Sequence, residues 1–348
     1  GNYPTYNIPF HSRWGHFRVG EIDREKSLEN LVKARDPMEM ARTKLDLVIV
    51  SVLLDAGAGK VWRYQEEKNT FSRSEGLAVA SYHMFVAGDF HSRGELAADA
   101  EGLMGFSDVK LEKGFQVSGE NPLVGVDGRV NLIRKLGEAV KNNPELFPKG
   151  RPGSIIDYLC QKYGKHFEVK DILAAVLNGL GSIWPGRIDA NGVNLGDVWH
   201  YSPLGDEVGA SSVICFHKLS QWLTYSLVGP MVQAGLIVEG AEKLTGLAEY
   251  RNGGLFLDYG VIELKDSSLL AKPHKPGSDL IIEWRALTVQ LLDRIGELIQ
   301  QKLGKTPSEF PLAKVLEGGT WWAGRKIASE KRSDGSTPIT LDSDGTVF

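Results

Sequence analysis

Residues able to do acid–base and anion-binding chemistry recur in five otherwise apolar stretches of this sequence. "AEYRNGG" carries Glu249, Tyr250 and Arg251, and the "FLDYG" that follows carries Asp258. "FHKLSQW" carries His217, Lys218 and Gln221; on a helix Gln221 falls one turn after His217, so the two can share a face. "IIEWRAL" sets Glu283 and Arg285 among Leu, Ile and Val, and "EGGTWWAGRK" joins Glu317, Trp321, Trp322 and Arg325. "FSRSEGLA" places Arg73, Ser74 and Glu75 at a helix start, where free amides and the helix dipole favour an anion. Burying a charge is costly unless it is paired or used. Each stretch is therefore an ion-pair knot or part of a site.

Taken singly, each stretch has a structural explanation. Glu283 and Arg285 are two apart on a helix and do not face each other. Glu75 is what a first helical turn prefers. Adjacent tryptophans usually pack, and His217 reads as a satisfied helix-start histidine. Pooled, the cations, carboxylates and aromatics fit a site for a small anionic molecule better, since all lie on segments expected to converge in the core. No metal or cofactor is expected. The histidines are scattered, and His11 and His16 in "FHSRWGHF" suit no standard ligand face. Neither a Gly-x-Ser-x-Gly elbow nor a glycine-rich nucleotide fingerprint is present. "DAGAGK", from Asp55, lacks the closing Gly-Lys-Ser/Thr of a phosphate loop and reads as a helix C-terminal cap.

The elements that must position these residues are mainly helices. The chain has 348 residues, 42% hydrophobic and 24% charged, enough for a large buried core. The expected organisation is one large, mostly helical domain over 1–348, with sub-lobes 1–150 and 151–330 and a surface tail at 331–348. A net charge of -4 argues against nucleic acid as the main partner, yet allows a local basic pocket for one phosphate. The longest apolar run, "LVIVSVLL", falls short of the roughly 20 residues a membrane span needs. Cys160 and Cys215 read as two buried free thiols in a reducing, cytoplasmic setting. The chain opens on Gly1, and an N-terminally shortened chain is expected.

Asp36-Pro37 opens a long buried helix ending near Gly57 or Gly59. Ser74, "GRVNLIRKLGEAVKNN", "GSIIDYLCQKYG" and "VKDILAAVLNGLG" mark further helices. So do "FHKLSQWLTYSLVGPMVQAG", kinked or broken at Pro230, and the stretch from Ser278 to Gly304. "SEFPLAKVLEGGTWWAGRKIASEK" reads as a helix interrupted at Gly318 and Gly319. Residues 253–264, "GGLFLDYGVIEL", are the best strand candidate and so the minor β element. Residues 88–128 and 181–212 read as loops, the second a candidate lid with Trp184 and Trp199.

Several of these stretches together resemble a known family. "VSVLLDAGAG", "RSEGLAVAS", "FHKLSQWLTYSL", "LTGLAEYRNGGLFLDYGV", "EWRALTVQLLD" and "DGTVF" are similar to the uracil-catabolism family of fungi and bacteria, long a domain of unknown function. The resemblance runs from "IPFHSRWGHF" onward. It implies a pathway in which uracil becomes its nucleotide and a cyclohydrolase-like enzyme opens the ring, leaving a ribosylurea-type intermediate. The implied partners are a small phosphorylated ribose-containing substrate and other uracil-catabolism enzymes. A non-catalytic partner of the ring-opening enzyme, or an amidohydrolase acting on the urea portion, are the alternatives.

A more distant likeness supplies chemistry. The segment order resembles the queuosine-nucleotide N-glycosidase (queuosine salvage) family, which is mostly helical and related to helix-hairpin-helix DNA glycosylases. That family has Asp-Tyr-Arg where this chain has Glu249-Tyr250-Arg251, and a helix-start lysine where it has Lys218. Its Glu-x-Arg resembles Glu283 and Arg285. Its acid after a tryptophan is replaced here by Trp322. The likeness implies cleavage of a C1′–N bond, in which a fixed carboxylate, Glu249, stabilises developing positive charge. Asp258 or Asp55 would handle the leaving-group proton. Lys218, Arg251, Arg285 and Arg325 would bind the 5′-phosphate.

Overall fold

Helix boundaries follow local chemistry where the capping residues are explicit. Asp36 accepts from the Met38 and Glu39 amides while Pro37 takes the first helical position, where no intrahelical N–H bond is lost. Gly304 closes the longest helix in the left-handed conformation that a C-cap favours. The computed structural model describes residues 3, 5–185 and 187–342, and its architecture is mainly helical. In chain order its helices are α1 (Arg13–Phe17), α2 (Arg24–Val32), α3 (Pro37–Leu53), α4 (Arg73–Val86), α5 (Ala100–Met104), α6 (Asp108–Gly114) and α7 (Val126–Asn142). They continue with α8 (Ile155–Tyr163), α9 (Val169–Leu180), α10 (Lys218–Gln233), α11 (Tyr250–Asp258), α12 (Asp279–Leu303), α13 (Leu312–Val315) and α14 (Trp321–Lys331). A π-helical turn, Leu316–Thr320, joins α13 to α14 at the Gly318-Gly319 pair.

Among the described residues the strands form four two-stranded ribbons. β1 (Tyr64–Glu66) pairs antiparallel with β2 (Asn69–Phe71). β3 (His166–Glu168) pairs parallel with β8 (Ile237–Glu239), with His166 opposite Ile237. β4 (Asp189–Ala190) and β5 (Val193–Asn194) form a small hairpin, and β6 (Val198–His200) pairs antiparallel with β7 (Val213–Cys215). The last two ribbons fall largely on or beside the stretch read as a lid loop.

Several expectations are corrected. The strand candidate at 253–264 is α11, followed by a turn. Glu249 accepts the Arg251 and Asn252 amides, and this cap nucleates a helix through residues whose β-like composition suggested otherwise. Gly253 packs so close to Trp284 and Thr288 that a side chain there would clash, so its role is close helix approach. Residues 88–128 hold α5 and α6, capped by Asp99 and Ser107. Helix α10 runs on through Pro230. The polar tail is not wholly superficial: Ile339 is fully buried against Ile281 and Trp284, and His274 bridges to Leu341. Cys160 is half-buried and Cys215 exposed. "DGTVF" lies outside the described residues, as does Gly1.

Burial explains how these helices hold position. Ala41 to Leu53 of α3 are buried continuously, with Leu45, Val48, Val50, Val52 and Leu53 at 0% exposure, so α3 runs through the interior. One contiguous apolar core joins side chains from Ile8 to Leu316. Among the described residues no helix is long and apolar enough to cross a membrane.

Candidate functional site

A cleft of about 410 Å³ collects much of the expected chemistry. His11 and His16, on either side of the start of α1, form one wall, and Asp55 to Gly59, just past α3, form another. The starts of α4, α10 and α11 open onto it, contributing Arg73, Ser74 and Glu75, then Lys218 and Trp222, then Glu249, Tyr250 and Arg251. Trp321 and Arg325 of α14 close it, with Thr337 and Leu341. Three helix N-termini thus open on one space, each contributing a partial positive charge.

Local geometry fixes these starts. Arg73 and His217 hold φ of +55° and +46°, left-handed values that a non-glycine residue adopts at a cost of about 1–2 kcal/mol. Strain of this kind collects where chain direction must be forced. No side chain caps α4 through Ser72. The Lys218 amide donates to Asp197 Oδ2 at 3.1 Å. The Asp55 loop is held from behind by Arg129 of α7, fully buried, which donates to the carbonyls of Leu54 (3.1 Å), Ala56 (2.6 Å) and Gly57 (3.1 Å). A cation on the carbonyl end of α3 also suits the helix dipole. The "DAGAGK" segment therefore serves as a C-terminal cap and as cleft lining.

The two carboxylates are held differently. Glu249 accepts the Arg251 and Asn252 amides at 2.8 and 2.9 Å, which fixes its rotamer. Asp55 accepts from Arg13 Nη1 at 2.7 Å and from Ser74 Oγ at 3.2 Å. Burial pushes the Asp55 carboxyl up, against the opposing pull of Arg13 and Lys218. Burial likewise lowers the Lys218 ammonium, while Glu249 and then Asp55 pull it back up, so Lys218 feels both acids. Arg251 is lowered by burial, opposed by Glu249, and donates to the Gly335 carbonyl at 3.1 Å. Arg325 pairs with Glu75 and lies 4.9 Å over the Trp321 ring.

Five expected residues are elsewhere. Asp258 is clamped by Arg332 through two hydrogen bonds of 2.8 and 2.5 Å and does not line the cleft. Arg285 is buried behind it, bound to both oxygens of Asp197 at 2.8 Å, so it is not placed to hold a phosphate. Its Nε donates to the Ala248 carbonyl at 3.2 Å, next to Glu249, and Phe216 stacks on it at 4.1 Å. Glu283 is exposed on the outer face of α12, as its two-residue offset from Arg285 requires. Gln221 is buried and donates to the Thr245 carbonyl at 2.5 Å, and neither it nor His217 lines the cleft. Asp197, from the expected lid, thus joins Arg285 to the start of α10; Trp199 lies over a separate cavity with Arg187 and Lys275.

Sequence reasoning missed Arg13, His11, His16 and Trp222. Arg13 is fully buried and ties Asp55 to Ser51 (2.7 Å) and to the Ser74 carbonyl (3.2 Å). His11 Nδ1 lies 2.9 Å from Glu317 Oε2, and Tyr3 donates to Oε1 of the same acid at 2.7 Å. The available signal was the density of polar and aromatic types in "FHSRWGHF". Testing that stretch only for metal-ligand spacing hid it. Trp322, at the position where the distant likeness has an acid, is 39% exposed.

Comparison with known proteins gives a consistent picture. A family profile described as "Protein of unknown function (DUF1688)" matches residues 1–348. "Protein urg3" of Schizosaccharomyces pombe is 41% identical over 357 aligned positions, covering 100% of this chain and 86% of that protein. "Uracil catabolism protein 4" of Lachancea kluyveri is 40% identical over 378 positions, covering 98% of this chain and 85% of that protein.

Proposed function

The chain belongs to the DUF1688 family, and from that membership and the geometry of the cleft we propose that it is a uracil-catabolism enzyme that hydrolyses the N-glycosidic bond of a ribosylurea phosphate. The observation that carries the reading is the pairing of two differently held carboxylates with one cationic cleft. A pure anion binder gains nothing from acids beside its phosphate, whereas glycoside cleavage uses both.

In this reading the C1′–N bond breaks as positive charge develops on the ribose. Glu249, held by its two amides, stabilises that charge and takes a proton from the attacking water, whose oxygen bonds to C1′. Asp55, with its carboxyl raised by burial, delivers a proton to the departing nitrogen. The products are ribose 5-phosphate and urea, with one water consumed. The 5′-phosphate sits against the uncapped start of α4, with Arg73, Arg251 and Arg325 around it. The same reading carries an expectation of a helical layout like that of the queuosine-salvage glycosidases.

A product assay tests it. Purified protein is incubated with 1-ribosylurea 5-phosphate, and with uridine monophosphate as control. Release of urea and ribose 5-phosphate from the first compound alone is expected, falling by about 10²–10³ in Glu249→Gln with ligand binding retained. Binding without release by the wild-type protein would move the function to a non-catalytic partner of the ring-opening enzyme.

A further inference from the structure

The cleft also holds rings that the hydrolysis above does not use. His16 is 7% exposed, and its ring lies 5.8 Å from Trp222 and 5.6 Å from Trp321, edge-on to both. The same two indoles flank His11 at 6.2 and 5.3 Å. All four residues line the cleft.

The two imidazoles differ in what their nitrogens meet. His11 Nδ1 lies 2.9 Å from Glu317 Oε2; a proton held on Nδ1 by that carboxylate leaves Nε2 as an acceptor. His16 Nδ1 is enclosed and has no hydrogen-bond partner among the described residues. An orphaned buried N–H is the rarer arrangement, so the His16 proton belongs on Nε2. Burial first, then the charges of Arg13, Arg325 and Lys218, hold His16 well below the ordinary imidazole range and therefore neutral. A neutral donor does not compete with the arginines for the phosphate.

Resting on the glycosidase reading, we propose that His16 and His11 are a donor–acceptor pair that recognises a flat ureido or amide leaving group. His16 Nε2–H binds its carbonyl oxygen, His11 Nε2 accepts its N–H, and Trp222 and Trp321 cover its faces. A ureido group presents a carbonyl and an N–H on one plane, which this pair matches. A sugar hydroxyl supplies no such plane.

Calorimetry with the full chain carrying Glu249→Gln, which retains ligand binding, compares two probes, 1-ribosylurea 5-phosphate and ribose 5-phosphate, with His16 native and as His16→Phe or His16→Gln. The Gln amide nitrogen reaches the Nε2 position, so His16→Gln keeps the donor that Phe removes. His16→Phe should weaken the ureido ligand about tenfold and leave ribose 5-phosphate within about twofold, with His16→Gln restoring most of the difference. Equal weakening of both ligands, or an unchanged preference, overturns the proposal. Wild-type binding of the ureido probe without urea release defeats the glycosidase reading but leaves this comparison intact; binding of neither defeats both. Should His16→Phe fail to fold, ¹⁵N shifts of the wild-type imidazole decide: a protonated His16 Nδ1 at neutral pH overturns the assignment.

Discussion

Glu249 and Asp258 stand at the two ends of one helix, α11, and do different work. Asp258, at the C-terminal end, gives both oxygens to Arg332 in a planar, two-bond clamp. Glu249, at the N-terminal end, is held by amides of its own first turn and lines the cleft. The same contrast separates Asp197, gripped on both oxygens by Arg285, from Asp55, whose partners are one arginine nitrogen and a serine. Burial has opposite results in the two cases. Arg285 and the bonds it makes hold the Asp197 carboxyl below its usual range despite burial, whereas for Asp55 burial wins. An acid whose lone pairs are saturated by one guanidinium is fixed as structure. An acid with a partial set can still exchange a proton.

The largest effect that would break this contrast is at Asp55. Asp55→Asn is expected to lower kcat by about 10², the usual range for loss of a general acid. The acid works in its protonated form, so activity is present below its raised pKa and falls as pH climbs through it. The Asn variant should lose that alkaline limb of the pH–kcat/KM profile. Wild-type kcat with the limb intact would put Asp55 in the class of Asp258.

Asp258→Asn should do the reverse. Denaturant unfolding is expected to show a loss of about 2 kcal/mol, below the roughly 3–5 kcal/mol of a fully buried broken pair because the Arg332 side chain is 24% exposed. Its kcat/KM should stay at the wild-type value, and a kinetic loss larger than the stability loss would dissolve the distinction. The smallest effect sharpens it. Arg285→Lys keeps the charge but loses the two-bond grip on Asp197 and the bond to Ala248, which together set Lys218 against Glu249. About a tenfold fall in kcat with little change in KM is expected; unchanged kinetics with lowered stability would make Arg285 packing alone.

Legibility in the sequence varied with how local the cause was. Asp36-Pro37 and Gly304 announce their helix ends because cap and breaker act within a turn. Glu249 caps α11 just as locally, but the Gly253-Gly254 pair and the "LFLDYGVIEL" that follows carry a β-like composition that masked it. The cleft residues Glu249, Arg251, Lys218, Asp55 and Arg325 were legible as charges in apolar surroundings. Asp258 and Arg285 carry the same signal, because a knot and a site differ only in the geometry of distant partners such as Arg332 and Asp197. His11 and His16 were hidden for a related reason: their meaning comes from Trp222, Trp321 and Glu317, which no spacing along the chain reveals.

The bond between His11 and Glu317 spans 306 positions of sequence. At typical rates of synthesis, about 5–20 residues per second, on the order of 15–60 s separate the emergence of its two partners. During that interval α3, α4 and α7 can already assemble around the Asp55 loop, but the aromatic part of the cleft has no second side. The growing chain then carries Asp55, Lys218, Glu249 and Arg251 without Trp321 and Arg325, the side chains that close the cleft. The cleft is therefore closed only once the last tenth of the chain has been made.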